Sequence, residues 1–265
     1  MIAEGPGTST SVVRAFDVLE RIALAGEDGI TLGQLAATIP TAKSTTHRYV
    51  ATLLALGVVR RDDFARLRLG YKLVELAGVL LDGDDVRSAA APILNDLAGR
   101  TGETVHLGVI ADQEIVYIAK IESPHSVRLV SRIGARVPFY CSAMGKAVLA
   151  HFDGQQLQDA LAIPRSARTD HTIVEQGALL AELQRIRTVG VSLDDEENEI
   201  GVRCIGAAVV VGGEPAAAIS VSAPEVRMSH ERCAELTPHM IAAAGEIARR
   251  LGRARMHAPA STHTR

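Results

Sequence analysis

Between Thr31 and Gly57 the chain carries two short apolar-periodic segments with a proline between them, and few folds accommodate that punctuation. Thr31 stands as a helix cap before Leu32, Leu35, Ala36 and Ile39. Pro40 closes this segment because proline disfavours helix at the residue before it. A second helix is expected from about Thr41 to Leu56, with Gly57 as its stop. Upstream, Ser11 caps a helix whose Val12, Val13, Ala15, Phe16, Val18, Leu19 and Ile22 share one apolar face, and the Ala25–Gly29 stretch breaks it. Two helices separated by a few residues form a helix-turn-helix. After Gly57, Val58–Arg61 and Arg66–Gly70 read as two short strands around an Asp62–Ala65 turn, a wing.

At about 100° per residue the Thr41–Leu56 helix has two distinct sides. Thr46, Val50, Leu53 and Leu54 fall together and should pack on the preceding helices, whereas Ser44, Thr45, Arg48, Ala51 and Thr52 face away, with Lys43 at the helix start. A face of small hydroxyls and one arginine suits the major groove, where arginine binds guanine bidentately and serine or threonine reaches bases and phosphates. Free N–H groups at the helix start add a phosphate contact. The wing arginines Arg60, Arg66 and Arg68 would lie along the phosphate backbone, adding affinity rather than sequence choice. The expected contacts to double-stranded DNA are therefore Thr31, Lys43, Ser44, Thr45, Thr46, His47, Arg48, Thr52, Arg60, Arg66 and Arg68.

The formal net charge of −3 conceals this asymmetry: from Thr41 to Lys72 there are seven basic residues and two acidic ones. A winged helix used for protein contacts is the alternative. The excess charge falls on helix and wing together, where groove and backbone would meet it, and this favours DNA.

At 265 residues the chain has room for two domains. No uncharged apolar run of about 18 residues is present to span a bilayer, and Met1–Gly7 lacks the basic start and apolar core of a secretory signal. A cytoplasmic location is expected. The three cysteines are odd in number and far apart, which argues against a disulfide framework. The C-terminus, rich in Arg, Pro, Ser, Thr and His, is expected to be a disordered tail over 253–265.

The organisation expected is a DNA-binding domain at 8–71, a linker helix at 72–86 and a larger domain at 87–252. Helical periodicity runs from Leu69 to about Arg100 with a break at Asp82–Asp85. Strands follow at Thr104–Ile110, Glu114–Lys120 and Val127–Ser131, then a Gly134–Tyr140 stretch and a helix over Ser142–Phe152. Another helix covers Ile173–Thr188. Two β-rich runs, Arg203–Val211 and Ala216–Ser222, flank a Gly212-Gly213 hairpin turn, and helix returns over Ser229–Leu251. The fold class is multidomain α+β, the second domain having one central sheet.

Several separate motifs, in order, carry a resemblance. Gly134–Ala147 (GARVPFYCSAMGKA), Asp194–Glu197 followed by Gly201-Val202-Arg203-Cys204, Ala218–Pro224 and the Lys43–Arg48 segment resemble the isocitrate lyase regulator (IclR) family of bacterial transcriptional regulators over about residues 10–250. The resemblance implies a winged helix-turn-helix, a linker helix and a GAF-like α/β effector domain, assembled as homo-dimers or homo-tetramers on pseudo-palindromic operators. It implies a regulator, more often a repressor, of a catabolic operon. It also implies an effector pocket at Leu129, Val137, Cys141, Ala143, Met144, Asp194, Val202, Cys204, Ser220 and Ser222. Backbone N–H groups after Ser142 could hold an anion, and Ser220 and Ser222 point to one face of a strand, so a small carboxylate or acid derivative is the expected ligand. The chain departs from the family at Phe139-Tyr140, at Met144 and in its short Gly212-Gly213 hairpin.

A hydrolase or metal-dependent enzyme carrying a DNA-targeting module is the competing reading, since Cys141, Cys204, His106 and His151 could pair a thiolate with an imidazole. None lies in a local nucleophile signature, and close ligand spacing of the Cys-x-x-Cys kind is missing, so neither catalysis nor a metal or other cofactor is expected.

Overall fold

The computed structural model describes residues 9–257. The chain forms two compact units that divide between Gly83 and Asp84.

In the first unit, α1 (Thr10–Leu24), α2 (Leu32–Thr38) and α3 (Lys43–Ala55) are followed by the paired strands β1 (Val59–Arg61) and β2 (Leu67–Leu69) and by α4 (Lys72–Asp82). Val18 and Ile22 of α1, Leu35 of α2, Val50 and Leu53 of α3, and Val59 and Leu67 of the wing make one buried cluster. The start of α2 is fixed by a capping box: Gln34 N–H donates to Thr31 Oγ1 at 3.3 Å and Thr31 N–H donates to Gln34 Oε1 at 3.0 Å. α1 begins after Ser9, two residues earlier than the expected cap at Ser11. The linker expected over 72–86 is interrupted: α4 ends at Asp82, and Asp84 caps the next helix by accepting from Arg87 N–H at 2.8 Å.

The second unit opens with α5 (Asp85–Thr101). It continues through β3 (Thr104–Ala111), β4 (Glu114–Ile121), β5 (Arg136–Pro138), α6 (Ala143–Leu149), α7 (Gly154–Leu161) and α8 (Gln176–Val189), then β6 (Ser192–Asp195), β7 (Val202–Val211), β8 (Glu214–Pro224) and α9 (His230–His257). Six strands form one antiparallel sheet in the order β5-β4-β3-β8-β7-β6. The β7–β8 hairpin turns on Gly212 and Gly213, both at positive φ (65° and 91°), as a two-residue type I′ loop requires.

Strand alternation sends Ile205, Ile219 and Val221 to one face of the sheet and Cys204, Gly206, Ser220 and Ser222 to the other. α6, all seven of whose residues are buried, packs on β7 and β8, while α5 and α9 pack on each other. Ser142 caps α6 by accepting from Gly145 N–H at 3.1 Å.

Two expectations change, and two elements appear that the sequence did not announce. Residues 127–131 form no strand: Lys120 Nζ donates to the Ser131 carbonyl at 2.8 Å and to the Leu129 carbonyl at 3.5 Å, so a side chain occupies backbone acceptors a ladder would use. β6, which carries Asp194 at a buried position, was not anticipated as a strand. α7 was not anticipated. The helix expected to end near Leu251 continues through His257, so the proposed tail from 253 begins as helix, and its remainder lies outside the described residues.

Candidate DNA interface and effector cavity

The DNA-facing candidates divide by burial. Lys43, Ser44, His47, Arg48 and Thr52 are exposed on α3, and Thr45 is half-buried. The helix start carries no side-chain cap, because Ala42 stands at the cap position. Thr31 is exposed beside α2, its hydroxyl engaged with Gln34 at 2.8 Å. Thr46 is a correction: it is fully buried and its hydroxyl bonds Thr41 Oγ1 at 2.9 Å, which removes it from any DNA-facing set.

The wing arginines also differ from one another. Arg68 is half-buried and its Nε donates to Asp62 Oδ2 at 2.9 Å, while Asp62 Oδ1 accepts from the Phe64 and Arg66 amides. These bonds hold the Asp62 carboxyl below its usual pKa, with the Arg68 hydrogen bond the largest cause. Arg68 therefore closes the wing turn through its Nε, and the rest of its part-exposed guanidinium forms no other side-chain hydrogen bond among the described residues. Arg60 stacks on Tyr71, its guanidinium carbon 5.5 Å from the ring centre. Arg66 remains exposed and reaches the Asp28 carbonyl at 2.7 Å.

The second unit encloses a cavity of about 220 Å³ on the polar face of the sheet. Leu129, Val137, Ala143 and Met144 wall it, and Asp194, Val202, Cys204, Ser220 and Ser222 line it as expected from their strand positions. Cys141 does not. Its thiol is buried and lies 3.8 Å from Asn198 Oδ1, facing the 194–198 loop. Phe139, one of the departures, packs edge-on against Phe152 at 5.6 Å, and Tyr140 donates to the Ser166 carbonyl.

The cavity holds groups the sequence reading left out. His106 stacks on Tyr117 with ring centres 4.6 Å apart. Its Nε2 is 2.7 Å from Ser131 Oγ and its Nδ1 is 3.5 Å from Ser220 Oγ, and Ser220 and Ser222 hydroxyls are 3.4 Å apart. Burial, with Lys120 nearby, lowers the His106 pKa to about 4, so the ring is neutral near pH 7. Asp194 Oδ1 accepts from the Glu197 and Asn198 amides at 2.9 and 3.1 Å, and burial raises its carboxyl to about 7.

Beneath this layer, Lys146 of α6 is buried and ion-paired with Glu197, with Glu182 of α8 at 3.8 Å. The arrangement ties α6 and α8 to the loop that carries Asp194. For catalysis the arrangement is poor: burial raises both Cys141, to about 12, and Cys204, keeping them as thiols rather than thiolates. Among the described residues no group of three or more His, Cys, Asp or Glu is placed to hold a metal ion, and no helix is long and apolar enough to cross a membrane.

Comparison with known proteins agrees with this geometry in both units. Residues 11–63 match the IclR helix-turn-helix domain and residues 79–249 match the bacterial transcriptional regulator IclR C-terminal family. The HTH-type transcriptional regulator KdgR of Escherichia coli is 35% identical over 250 residues, covering 93% of this chain and 94% of that protein. The transcriptional repressor IclR of Escherichia coli is 32% identical over 253 residues, covering 93% and 92%. The crystal structure of the Thermotoga maritima IclR superimposes with a TM-score of 0.75 at 33% identity, covering 91% of this chain and 98% of that one. With a winged helix-turn-helix and a six-stranded effector domain matched across both units, the chain belongs to the IclR family of DNA-binding transcriptional regulators.

Proposed function

We propose that this regulator represses a catabolic operon in the cytoplasm, bound as a homo-dimer or homo-tetramer to a pseudo-palindromic operator. A small organic acid or acid derivative in the 220 Å³ cavity changes its hold on DNA. The observation that carries the ligand half is a cavity whose polar groups converge from four strands: His106 of β3, Asp194 of β6, Cys204 of β7, and Ser220 and Ser222 of β8. A concave site with a few convergent polar groups is the usual form of a small-molecule site. The cavity falls below the roughly 300–1,000 Å³ of drug-sized sites, so its ligand is a small metabolite. Self-association is supported by α4, which buries none of its residues and leaves Val74, Leu76, Val79 and Leu80 exposed. A repressing role agrees with the relative described as a repressor.

On DNA, the Lys43–Thr52 face of α3 lies in the major groove and Arg48 reads a base. Footprinting tests this: half-sites should be centred about one helical turn, or a multiple of it, apart. Arg48→Ala should weaken operator binding by about 1–3 kcal/mol, while Arg66→Ala should weaken binding to every sequence and lower the salt dependence. Equal losses on operator and random DNA for Arg48→Ala would remove Arg48 from base recognition.

A further inference from the structure

We infer that Arg168, in the segment between α7 and α8, is the effector's counter-charge, and that the effector is a monocarboxylic acid carrying hydroxyl groups along its chain. This rests on the reading of the cavity as the effector site.

Two arginines line the cavity, Arg136 and Arg168. Arg136 is committed: its Nε donates to Glu114 at 2.6 Å, and Asp112 lies at 3.4 Å. The nearby lysines are committed as well, Lys120 to Glu122 and the Ser131 carbonyl, and Lys146 to Glu197. Among the described residues Arg168 is the cavity-lining cation with no carboxylate partner. Its Nε donates to the Asn198 carbonyl at 3.3 Å, and no other side-chain hydrogen bond forms, so the rest of the guanidinium fork is available.

The backbone around Arg168 is held in place. Thr172 Oγ1 accepts from the Arg168 and Thr169 amides, both at 3.0 Å, and donates to the Glu197 carbonyl at 2.6 Å. Thr169 Oγ1 donates to the Glu196 carbonyl at 2.7 Å. A cation anchored against the 194–198 loop is suited to bind a carboxylate in a fixed orientation, and the planar fork favours two parallel hydrogen bonds.

The rest of the cavity selects what accompanies that carboxylate. Ser131, Ser220 and Ser222 hydroxyls, the Tyr117 phenol and the neutral His106 ring offer both donors and acceptors, which match hydroxyl groups better than alkyl chain. Asp194 spends one oxygen on two amides. Its Oδ2 makes no hydrogen bond among the described residues and is open to accept from a ligand hydroxyl. Glu199 at the rim and Asp194 inside make a second carboxylate on the ligand unfavourable, so the acid carries one.

The test uses the full-length protein and four six-carbon probes: D-gluconate, D-glucarate, D-sorbitol and hexanoate. Each is measured by titration calorimetry on the wild type and on Arg168→Gln, Arg168→Lys and the cavity-filling Ser220→Leu. Gluconate should bind at least about tenfold more tightly than the other three, and Arg168→Gln should weaken it by about tenfold or more, with Arg168→Lys between them. Undiminished gluconate binding by Arg168→Gln overturns the proposal, as does equal or tighter binding of glucarate, sorbitol or hexanoate. If one of those three binds and Ser220→Leu abolishes it, the effector cavity stands and only the Arg168 and hydroxy-acid assignment falls. If nothing binds, or filling the cavity changes nothing, both readings fall. Ser220→Leu is accepted as folded only if it still binds operator DNA.

Discussion

Gly206→Ala is the substitution that most directly probes how the sheet and α6 share the cavity wall. A Cβ on Gly206 would stand 2.6 Å from the Ala143 carbonyl carbon, 2.8 Å from its oxygen and 2.9 Å from Met144 N, all backbone atoms. Ordinary carbon contacts lie near 3.5–4.0 Å, so the start of α6 must retreat by roughly 1 Å. It is not free to do so. Ser192 Oγ donates to the Ala143 carbonyl, and Lys146 on the same helix is ion-paired with Glu197. Overpacking of this kind costs about 1–3 kcal/mol, and weakening the Ser192 bond adds about 1 kcal/mol. Reduced freedom of the unfolded chain returns about 0.4–1 kcal/mol, leaving a net loss of about 1–3.6 kcal/mol. For a domain of this size that lowers Tm by roughly 2–14 °C, measured by calorimetry on the effector-domain transition. Gly99→Ala in α5 is the matched control, since no atom lies within 4 Å of its added Cβ; it should stabilise by about 0.5–1 kcal/mol. A Gly206→Ala variant melting within 1 °C of wild type would refute the close approach of β7 to α6.

Lys146→Met strands the buried Glu197 carboxylate and should cost about 3–5 kcal/mol in denaturant unfolding, much of it recovered in the Lys146→Met, Glu197→Gln double variant; additive losses would refute the pairing. Asp194 has its folded pKa raised to about 7 by burial, against 3.8 ordinarily, so its contribution to stability is complete below about pH 4 and is lost as pH rises through 7. Asp194→Asn should therefore flatten the stability profile from pH 4 to 8 and gain most at the alkaline end, and parallel profiles would contradict the burial. Thr46→Ala should lower stability by about 1 kcal/mol, through loss of the Thr41 hydroxyl bond, and leave the operator-to-random binding ratio unchanged.

The parts of the fold legible in the sequence are those where a local rule and burial agree. Thr31, Pro40 and Gly57 delimit α2 and α3, the α6 helix begins at Ser142 as read, and Gly212-Gly213 forms the hairpin between β7 and β8. Misreadings cluster where inward-facing residues are polar. β6 reads Ser192-Leu193-Asp194-Asp195, and its buried positions are the polar Ser192 and Asp194, so hydropathy alternation marks the wrong face. Residues 127–131 look strand-like because Val127, Leu129 and Val130 are β-branched or apolar, yet Val130 is fully exposed and the segment's polar atoms are bound by Lys120 and His106 from neighbouring strands. Thr46 has the same ambiguity on a helix: its helical phase places it in the core, its hydroxyl suggests DNA, and only the Thr41 partner settles the matter.

The 194–198 loop explains why the cavity is hardest to read from sequence. Asp194 lines the cavity and holds the loop amides, Glu197 pairs with Lys146 of α6, Thr169 and Thr172 bind the Glu196 and Glu197 carbonyls, and Arg168 binds the Asn198 carbonyl. Only the first of these partnerships lies within a few residues along the chain; the others span between 25 and 51 positions. Periodicity and capping rules operate over one or two turns, so they identify the helix start at Ser142 and the paired serines of β8 but carry no information about Arg168. The same wiring limits what can move independently. A ligand that shifts Asp194 must also shift the amides of Glu197 and Asn198, and through Glu197 the buried lysine of α6. Cavity occupancy and the seating of α6 on β7 are therefore mechanically joined, and Gly206, where those backbones meet, is the position at which that joint is tightest.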